Sequence, residues 1–205
     1  MAKPSQPATR RGEQTQQKLL SAAEQEFGER GFHNASISSI TSRAGVAQGT
    51  FYIYFASKED ILKALVQHMS RKMRHSQTSA VEHIADRLTV EKAGLEHFLQ
   101  FSIENQNLYK VVLESQFIDE SIYREYYEKL VAVYANRLKQ AQDDDQIHRA
   151  DPETQAWILM GIGYFLGLRY SIWDGKMPPE QVLETAYDFI ERGLSPNGPA
   201  TASGR

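Results

Sequence analysis

Residues 31–62 read GFHNASISSITSRAGVAQGTFYIYFASKEDIL, and this pattern predicts two short helices joined by a turn. Ser36 is a candidate N-cap for the first helix, and apolar residues follow it at helical spacing. Gly45 marks the turn, because glycine adopts positive φ angles without a steric penalty. The second helix is then expected from about Gln48 to Phe55.

Further helices are predicted on either side of this pair. The run Ser57-Lys58-Glu59-Asp60 matches a capping box, so a helix should begin there and continue to about Ser76. A helix from about Gly12 to Arg30 precedes the pair. A helix, a glycine turn and a second short helix together form the helix-turn-helix layout, which places side chains in the major groove of DNA. The same hairpin occurs in plain helical bundles, but polar-tipped side chains on the second helix favour DNA binding.

This stretch resembles the DNA-binding domain of the TetR family of bacterial transcriptional regulators. The residues that match the family's motif are Ile40, Ala44, Gly45, Val46, Gly49, Tyr52, Tyr54, Phe55, Ser57, Lys58, Glu59 and Leu62. The resemblance implies an all-α fold, with an N-terminal three-helix helix-turn-helix domain and a larger helical C-terminal domain for ligand binding and dimerisation. Double-stranded DNA is then the expected partner.

The resemblance also implies which side chains meet DNA. The bases should be approached by Gln48, Gly49 and Tyr52, and the phosphates by Ser36, Thr50, Tyr54 and Lys58. Two positions depart from the family's pattern. Ala47 stands where many members have a capping serine or threonine, and Ile53 offers only apolar contact, for example with a thymine methyl group.

Composition and charge fit this interpretation. The chain has 205 residues and no cysteine, which excludes disulfides and thiolate metal sites. Its net charge is −3, yet residues 1–76 carry 11 Lys and Arg against 6 Asp and Glu, and residues 77–205 carry 12 against 20. Because salt screens charges beyond about 8–10 Å, the basic N-terminal part can attract DNA despite the acidic remainder. With no secretory or membrane-spanning segment evident, we expect a cytoplasmic protein that does not enter membranes.

The chain is expected to divide into two domains with disordered ends. The DNA-binding domain should span 12–58, the helix 57–76 should lead onward, and 77–194 should form the second domain. The tails 1–11 and 195–205 are expected to be disordered, with Arg10 and Arg11 either solvated or in contact with DNA. Helices are predicted in the second domain near 78–88, 91–105, 107–116, 119–142, 152–173 and 179–194.

The helix that follows Pro152 is apolar on nearly all sides, so it should be buried on all sides. Glycine in a helix costs about 0.8–1 kcal/mol, so its three glycines suggest close packing. The resemblance implies a homodimer built from the last two helices of each chain, suited to a pseudo-palindromic operator. The residues expected at this interface are Gly163, Gly167, Val182, Ala186 and Ile190.

The resemblance further implies a cavity for a small hydrophobic effector. The candidate ligand-binding residues, from the tyrosine-rich helix and the apolar helix, are Tyr123, Tyr127, Trp157, Phe165 and Arg169. Core packing explains each aromatic residue equally well. Arg169 suits a ligand carboxylate or phosphate, and equally a salt bridge to Glu114 or another acid.

Motifs for catalysis, metal binding or a cofactor are absent from the sequence, so we expect no enzyme. The favoured hypothesis is a repressor that a small apolar or aromatic ligand releases from its operator. One alternative is a ligand-independent regulator or an activator. Another, from a different class, is a helical carrier or enzyme for an apolar small molecule, which would leave the helix-turn-helix pattern unexplained.

Overall fold

The computed structural model describes residues 9–196, and within them every regular element is helical. The helices are α1 (Arg10–Arg30), α2 (Ile37–Ala44), α3 (Gln48–Tyr54), α4 (Lys58–Val81), α5 (Arg87–Glu104), α6 (Gln106–Ser115), α7 (Glu120–Asp143), α8 (Pro152–Leu166) and α9 (Glu180–Leu194). A π-helical segment, Gly167–Asp174, continues α8. The predicted all-α class is confirmed.

The chain divides into two compact units. The first unit contains the chain up to Lys72 together with Asn105–Tyr127, and the second contains Met73–Glu104 and the chain from Glu128 onward. The divisions therefore fall inside α4, between α5 and α6, and inside α7. The first unit gathers α1, α2, α3 and α6, so a helix far along the sequence packs with the N-terminal ones.

Each unit has its own apolar core. In the first, fully buried side chains come from all three N-terminal helices and from α4, among them Leu19, Phe27, Ile40, Phe51 and Leu62. The core of the second unit consists of Leu95, Leu99, Val131, Leu138, Ala141, Ile147, Ala156, Leu159, Ala186, Ile190 and Leu194. Burial of such side chains supplies most of the free energy of folding.

Two predicted boundaries are wrong. The helix predicted at 78–88 does not exist, because α4 runs on to Val81 and α5 begins at Arg87. The carboxylate of Asp86 caps α5 by accepting a 2.8 Å hydrogen bond from the Thr89 amide. At the N-terminus, Arg10 and Arg11 belong to α1 rather than to a disordered tail. Residues 1–8 and 197–205, where the tails were also predicted, lie outside the described residues.

Candidate nucleic-acid interface

The turn between α2 and α3 has the geometry that the sequence predicts. Ser36 is the N-cap of α2, and its hydroxyl accepts a 3.0 Å hydrogen bond from the Ser39 amide while the Ser39 hydroxyl accepts one from the Ser36 amide. Gly45 ends α2 in the left-handed conformation, with φ 67° and ψ 35°. A side chain at this φ would be strained, which explains glycine here.

The inner face of α3 holds it in the core of the first unit. Phe51 is fully buried and Phe55 is 3% exposed, with their ring centroids 5.6 Å apart. Ile40 on α2 is also fully buried. Four-residue spacing on α3 thus fixes which side of this short helix faces inward, and the opposite side faces solvent.

The outward face of α3 consists of Gln48, Gly49, Tyr52 and Ile53. Tyr52 is 53% exposed and Ile53 is 55% exposed, so two neighbouring large side chains face solvent. No atom lies within 4 Å of the position that a Cβ on Gly49 would occupy. Nothing within the described chain therefore requires glycine here. Thr50 and Tyr54, expected at phosphates, are half-buried beside this face, and Ser36 is exposed.

Arg43, which sequence reasoning did not single out, ties α2 to α1. Its Nε donates a 2.7 Å hydrogen bond to the Glu26 carboxylate, and Nη2 donates a 2.7 Å hydrogen bond to Glu29. The Glu26 side chain is only 3% exposed. The hydrogen bond from Arg43 lowers the pKa of Glu29 below its usual value. Arg43 is basic and lies near α3, but its side chain stabilises the packing of α2 against α1.

The structure changes the prediction for Lys58. Its ammonium group donates hydrogen bonds of 2.7 Å to the Phe32 carbonyl and 2.9 Å to the Ala35 carbonyl. It also lies 4.2 Å from the centre of the Phe32 ring. The side chain therefore holds the turn between α1 and α2, and a phosphate would have to compete with two carbonyl oxygens for the same charge.

We expect Lys58→Ala to destabilise the fold by about 1–3 kcal/mol, because two carbonyls lose their donor. Urea unfolding measures this change. Lys63→Ala, on the exposed side of the same helix, is the matched control and should stay within about 0.5 kcal/mol of the wild type. If instead the two variants are equally stable and Lys58→Ala alone shows a shallower salt dependence of DNA binding, that result would support the prediction that Lys58 contacts a phosphate.

Four of the five residues predicted at a dimer interface face the core of their own chain. Gly163 and Gly167 are buried, and a Cβ on Gly163 would meet the Phe98 ring of α5 at 3.5 Å. Ala186 is 9% exposed and Ile190 is 4% exposed. Val182 alone is half-buried. The helices α8 and α9 are apolar on more than one side, so the sequence pattern did not distinguish the inner side from the outer.

The same helices also carry exposed apolar side chains. These are Trp157, Ile158 and Phe165 on α8, Trp173 on the π-helical segment, and Phe189 on α9, which are 44% to 71% exposed. At Gly161 on α8 and Gly193 on α9, a Cβ would meet nothing within 4 Å among the described residues outside the backbone of its own helix. We call these seven residues the α8–α9 outer face.

The five candidate ligand-binding residues are divided between the two units. Tyr123 and Tyr127 lie in the first unit with ring centroids 4.8 Å apart, whereas the other three belong to the second unit. Trp157 and Phe165 lie on the α8–α9 outer face. Arg169 forms an ion pair with Asp174, so it has the salt-bridge role, although with a partner other than Glu114.

The described residues contain neither a membrane-spanning helix nor a cluster of metal ligands. Among residues 9–196, no helix has both the length and the apolar character needed to cross a bilayer. In that same part of the chain, His, Asp and Glu side chains nowhere gather in a group of three or more that could hold a metal ion.

Comparison with known proteins agrees with this geometry. Residues 19–65 match the model of the family described as bacterial regulatory proteins, tetR family. An uncharacterised HTH-type transcriptional regulator of Bacillus subtilis, YdgC, is 29% identical over 92% of this chain and 96% of its own length. The fatty acid metabolism regulator protein of B. subtilis is 37% identical, but over only 42% of this chain and 43% of its own length.

A solved structure shares the whole fold. The transcriptional regulator FadR of B. subtilis, in complex with stearoyl-CoA, superposes with a TM-score of 0.75 over 85% of this chain and 96% of that chain, at 20% identity. Identity this low shows the fold alone. The family match over 19–65 and the helix-turn-helix geometry together identify this part of the chain as a DNA-binding domain of the kind found in bacterial regulatory proteins of the tetR family.

Proposed function

We propose that this regulator is a repressor, a homodimer that places α3 of each chain in the major groove of a pseudo-palindromic operator. The observation that carries the proposal is the outward face of α3. Tyr52 and Ile53 expose large side chains beside Gln48, on a helix whose inner face is fully packed. At Gly49, next to Gln48, no contact among the described residues explains the glycine. A base edge that approaches α3 closely explains it.

Tyr52→Ala should weaken operator binding by about 1–3 kcal/mol, because the variant loses a contact to the operator. The position is exposed, so the substitution should leave the fold intact. Fluorescence anisotropy on a duplex from the gene's upstream region measures the change. Tyr52→Phe is the matched control that separates the ring from its hydroxyl group. Wild-type affinity in Tyr52→Ala would remove this residue from the proposed contact surface.

The α8–α9 outer face supports dimer formation. Exposed apolar patches of this kind mark sites of protein interaction. Gly161 and Gly193 cost the helices about 0.8–1 kcal/mol each without any contact in their own chain to explain them. Close approach of a second chain explains both the exposed aromatic residues and the glycines. A two-fold axis there gives the two recognition helices that a pseudo-palindrome needs.

We further propose that the effector is hydrophobic, and that it carries a long acyl chain. Two similar proteins support this class: one is named as a fatty acid metabolism regulator, and the other is a FadR solved with stearoyl-CoA. A ligand that binds better to a conformation unsuited to DNA lowers operator affinity by population shift.

We also infer a cytoplasmic location, because the proposed operator lies on chromosomal DNA.

Titration of the protein–operator complex with stearoyl-CoA tests this proposal. We expect release of the DNA, with a coupling of about 1–3 kcal/mol, or roughly 5–150-fold in affinity. Free coenzyme A and free stearate are the matched controls, because each supplies one part of the ligand. If none of these three compounds alters the operator affinity, the acyl ligand is refuted and a ligand-independent regulator is favoured.

A further inference from the structure

The turn between α1 and α2 is held from two sides by charged groups. This turn, residues 31–36, leads directly into the helix-turn-helix. Gly31 adopts φ 77°, and its amide donates a 2.8 Å hydrogen bond to the Phe27 carbonyl. Phe32, which follows it, is 3% exposed and packs its ring 5.3 Å from that of Phe27. These six residues connect α1 to α2, so their conformation affects the orientation of α2 and α3 relative to α1.

The amide of Phe32 is bound by a residue that lies 82 positions away in the sequence. Both oxygens of the Glu114 carboxylate, on α6, accept hydrogen bonds from this amide, at 2.8 and 3.0 Å. On the other side of the same residue, the Phe32 carbonyl accepts the hydrogen bond from Lys58. An anion thus holds the N–H group and a cation holds the C=O group, each matched to the polarity of the group that it binds.

Close packing of α6 against α1 brings Glu114 to this position. A Cβ on Gly28 of α1 would lie 2.4 Å from Asn107 Cβ of α6, so glycine is what permits the two helices to approach. Leu108 and Val111 of α6 are each 1% exposed. At Gly31, a Cβ would lie 3.2 Å from Glu114 Oε1. The carboxylate therefore fits closely against the turn.

We propose that Glu114 is a positioning residue for DNA binding: it fixes the turn between α1 and α2 from α6, and thereby makes operator affinity depend on the position of α6. The inference rests on the proposed DNA-binding function. The helix α6 belongs to the same compact unit as the helix-turn-helix, whereas α5, which precedes it, belongs to the other. A shift of α6 that withdraws the carboxylate would leave a buried amide without its acceptor and free the turn to reorient.

The test compares Glu114→Ala and Glu114→Gln with Glu120→Gln, a control that removes the same charge from an exposed side chain at the start of α7. Affinity is measured for a selected operator and for a random duplex, well below the unfolding temperature, with sedimentation to verify the dimer. Glu114→Ala should lose about tenfold in operator affinity, because a hydrogen bond to a charged group is removed. Glu114→Gln keeps one acceptor oxygen and should lose less, and Glu120→Gln should match the wild type.

A role in stability alone would lower the unfolding temperature and leave the ratio of operator to random-duplex affinity unchanged. That result would overturn the inference. It is distinguishable from failure of the proposed function, because the wild type binds the operator in the same assay. If Glu114→Ala does not fold, Glu114→Gln gives the same comparison.

Hydrogen–deuterium exchange on the wild type adds a measurement that needs no variant. By reciprocity, operator DNA should slow exchange in a peptide that spans residues 28–36. Unchanged exchange of that peptide when the operator is bound would contradict the positioning role.

Discussion

Ile158→Asp should convert the protein into a folded monomer that binds its operator about 100-fold more weakly, or worse. In the single chain Ile158 is 60% exposed, so an aspartate there costs the fold little. In a dimer formed by the α8–α9 outer face, the same carboxylate would be buried without a partner, at a cost of several kcal/mol. Loss of the dimer removes the avidity of two linked half-sites, which contributes about 10²–10⁴-fold.

Sedimentation equilibrium and circular dichroism distinguish dissociation from unfolding. Val133→Asp on α7 is the matched control, since Val133 is 42% exposed and lies off this face. Ala186→Asp, in the core of the second unit, should unfold instead of dissociating. A stable dimer of Ile158→Asp, with wild-type operator affinity, would place the dimer interface elsewhere.

Arg43→Ala should destabilise the protein, because it leaves the Glu26 carboxylate, which is 3% exposed, buried with its closest cation gone. Arg30→Ala is the control. Arg30 lies 3.7 Å from the same carboxylate but is 56% exposed, so its loss should cost less than about 1 kcal/mol. Urea unfolding measures both.

A second substitution tests the cause of the Arg43 effect. Glu26→Leu in the Arg43→Ala background removes the stranded charge and replaces it with an apolar group of similar size. The double variant should therefore recover most of the lost stability. If it is as unstable as Arg43→Ala, the loss comes from the contacts of the arginine with Glu29 and Gln25, and the buried carboxylate is not its cause.

Local signals predicted the helix-turn-helix well. Ser36 caps α2, Gly45 ends it, and the hydroxyl of Ser57 accepts a hydrogen bond from the Asp60 amide at the start of α4, as the capping box predicts. One detail differs: the Asp60 carboxylate accepts from the Ala56 amide instead of completing the box at Ser57. Caps and turns depend on residues three or four apart, which is why sequence alone identifies them.

Contacts between residues far apart in the sequence could not be predicted from these local patterns. Lys58 reaches the carbonyls of Phe32 and Ala35, and Arg43 reaches Glu26, across gaps of 17 to 26 residues. Lys58 was expected at a phosphate, and Arg43 was not singled out, because the sequence shows their charge and not their partners. The same limit hid Glu114, whose acceptor role depends on how α6 packs against α1.

The apolar helices showed a different limit. A helix that is hydrophobic on several sides has no clear periodicity to identify its inner side, so four of the five predicted interface residues are buried in the core of their own chain. The π-helical turn at Gly167–Asp174 had no recognised sequence signal either. The start of α5 could have been located, because Asp86 followed three residues later by Thr89 is an N-cap pattern.

Selection of binding sites from a random duplex library tests the central claim most directly, namely that the outward face of α3 reads an operator. We predict enrichment of a pseudo-palindrome, with half-sites separated by about 34–36 Å or a multiple of it. Gln48→Ala and Tyr52→Ala should each change the enriched bases or abolish the enrichment, while the fold persists. Failure of the wild type to enrich any sequence, or enrichment of the same sequence at the same affinity by both variants, would contradict the account.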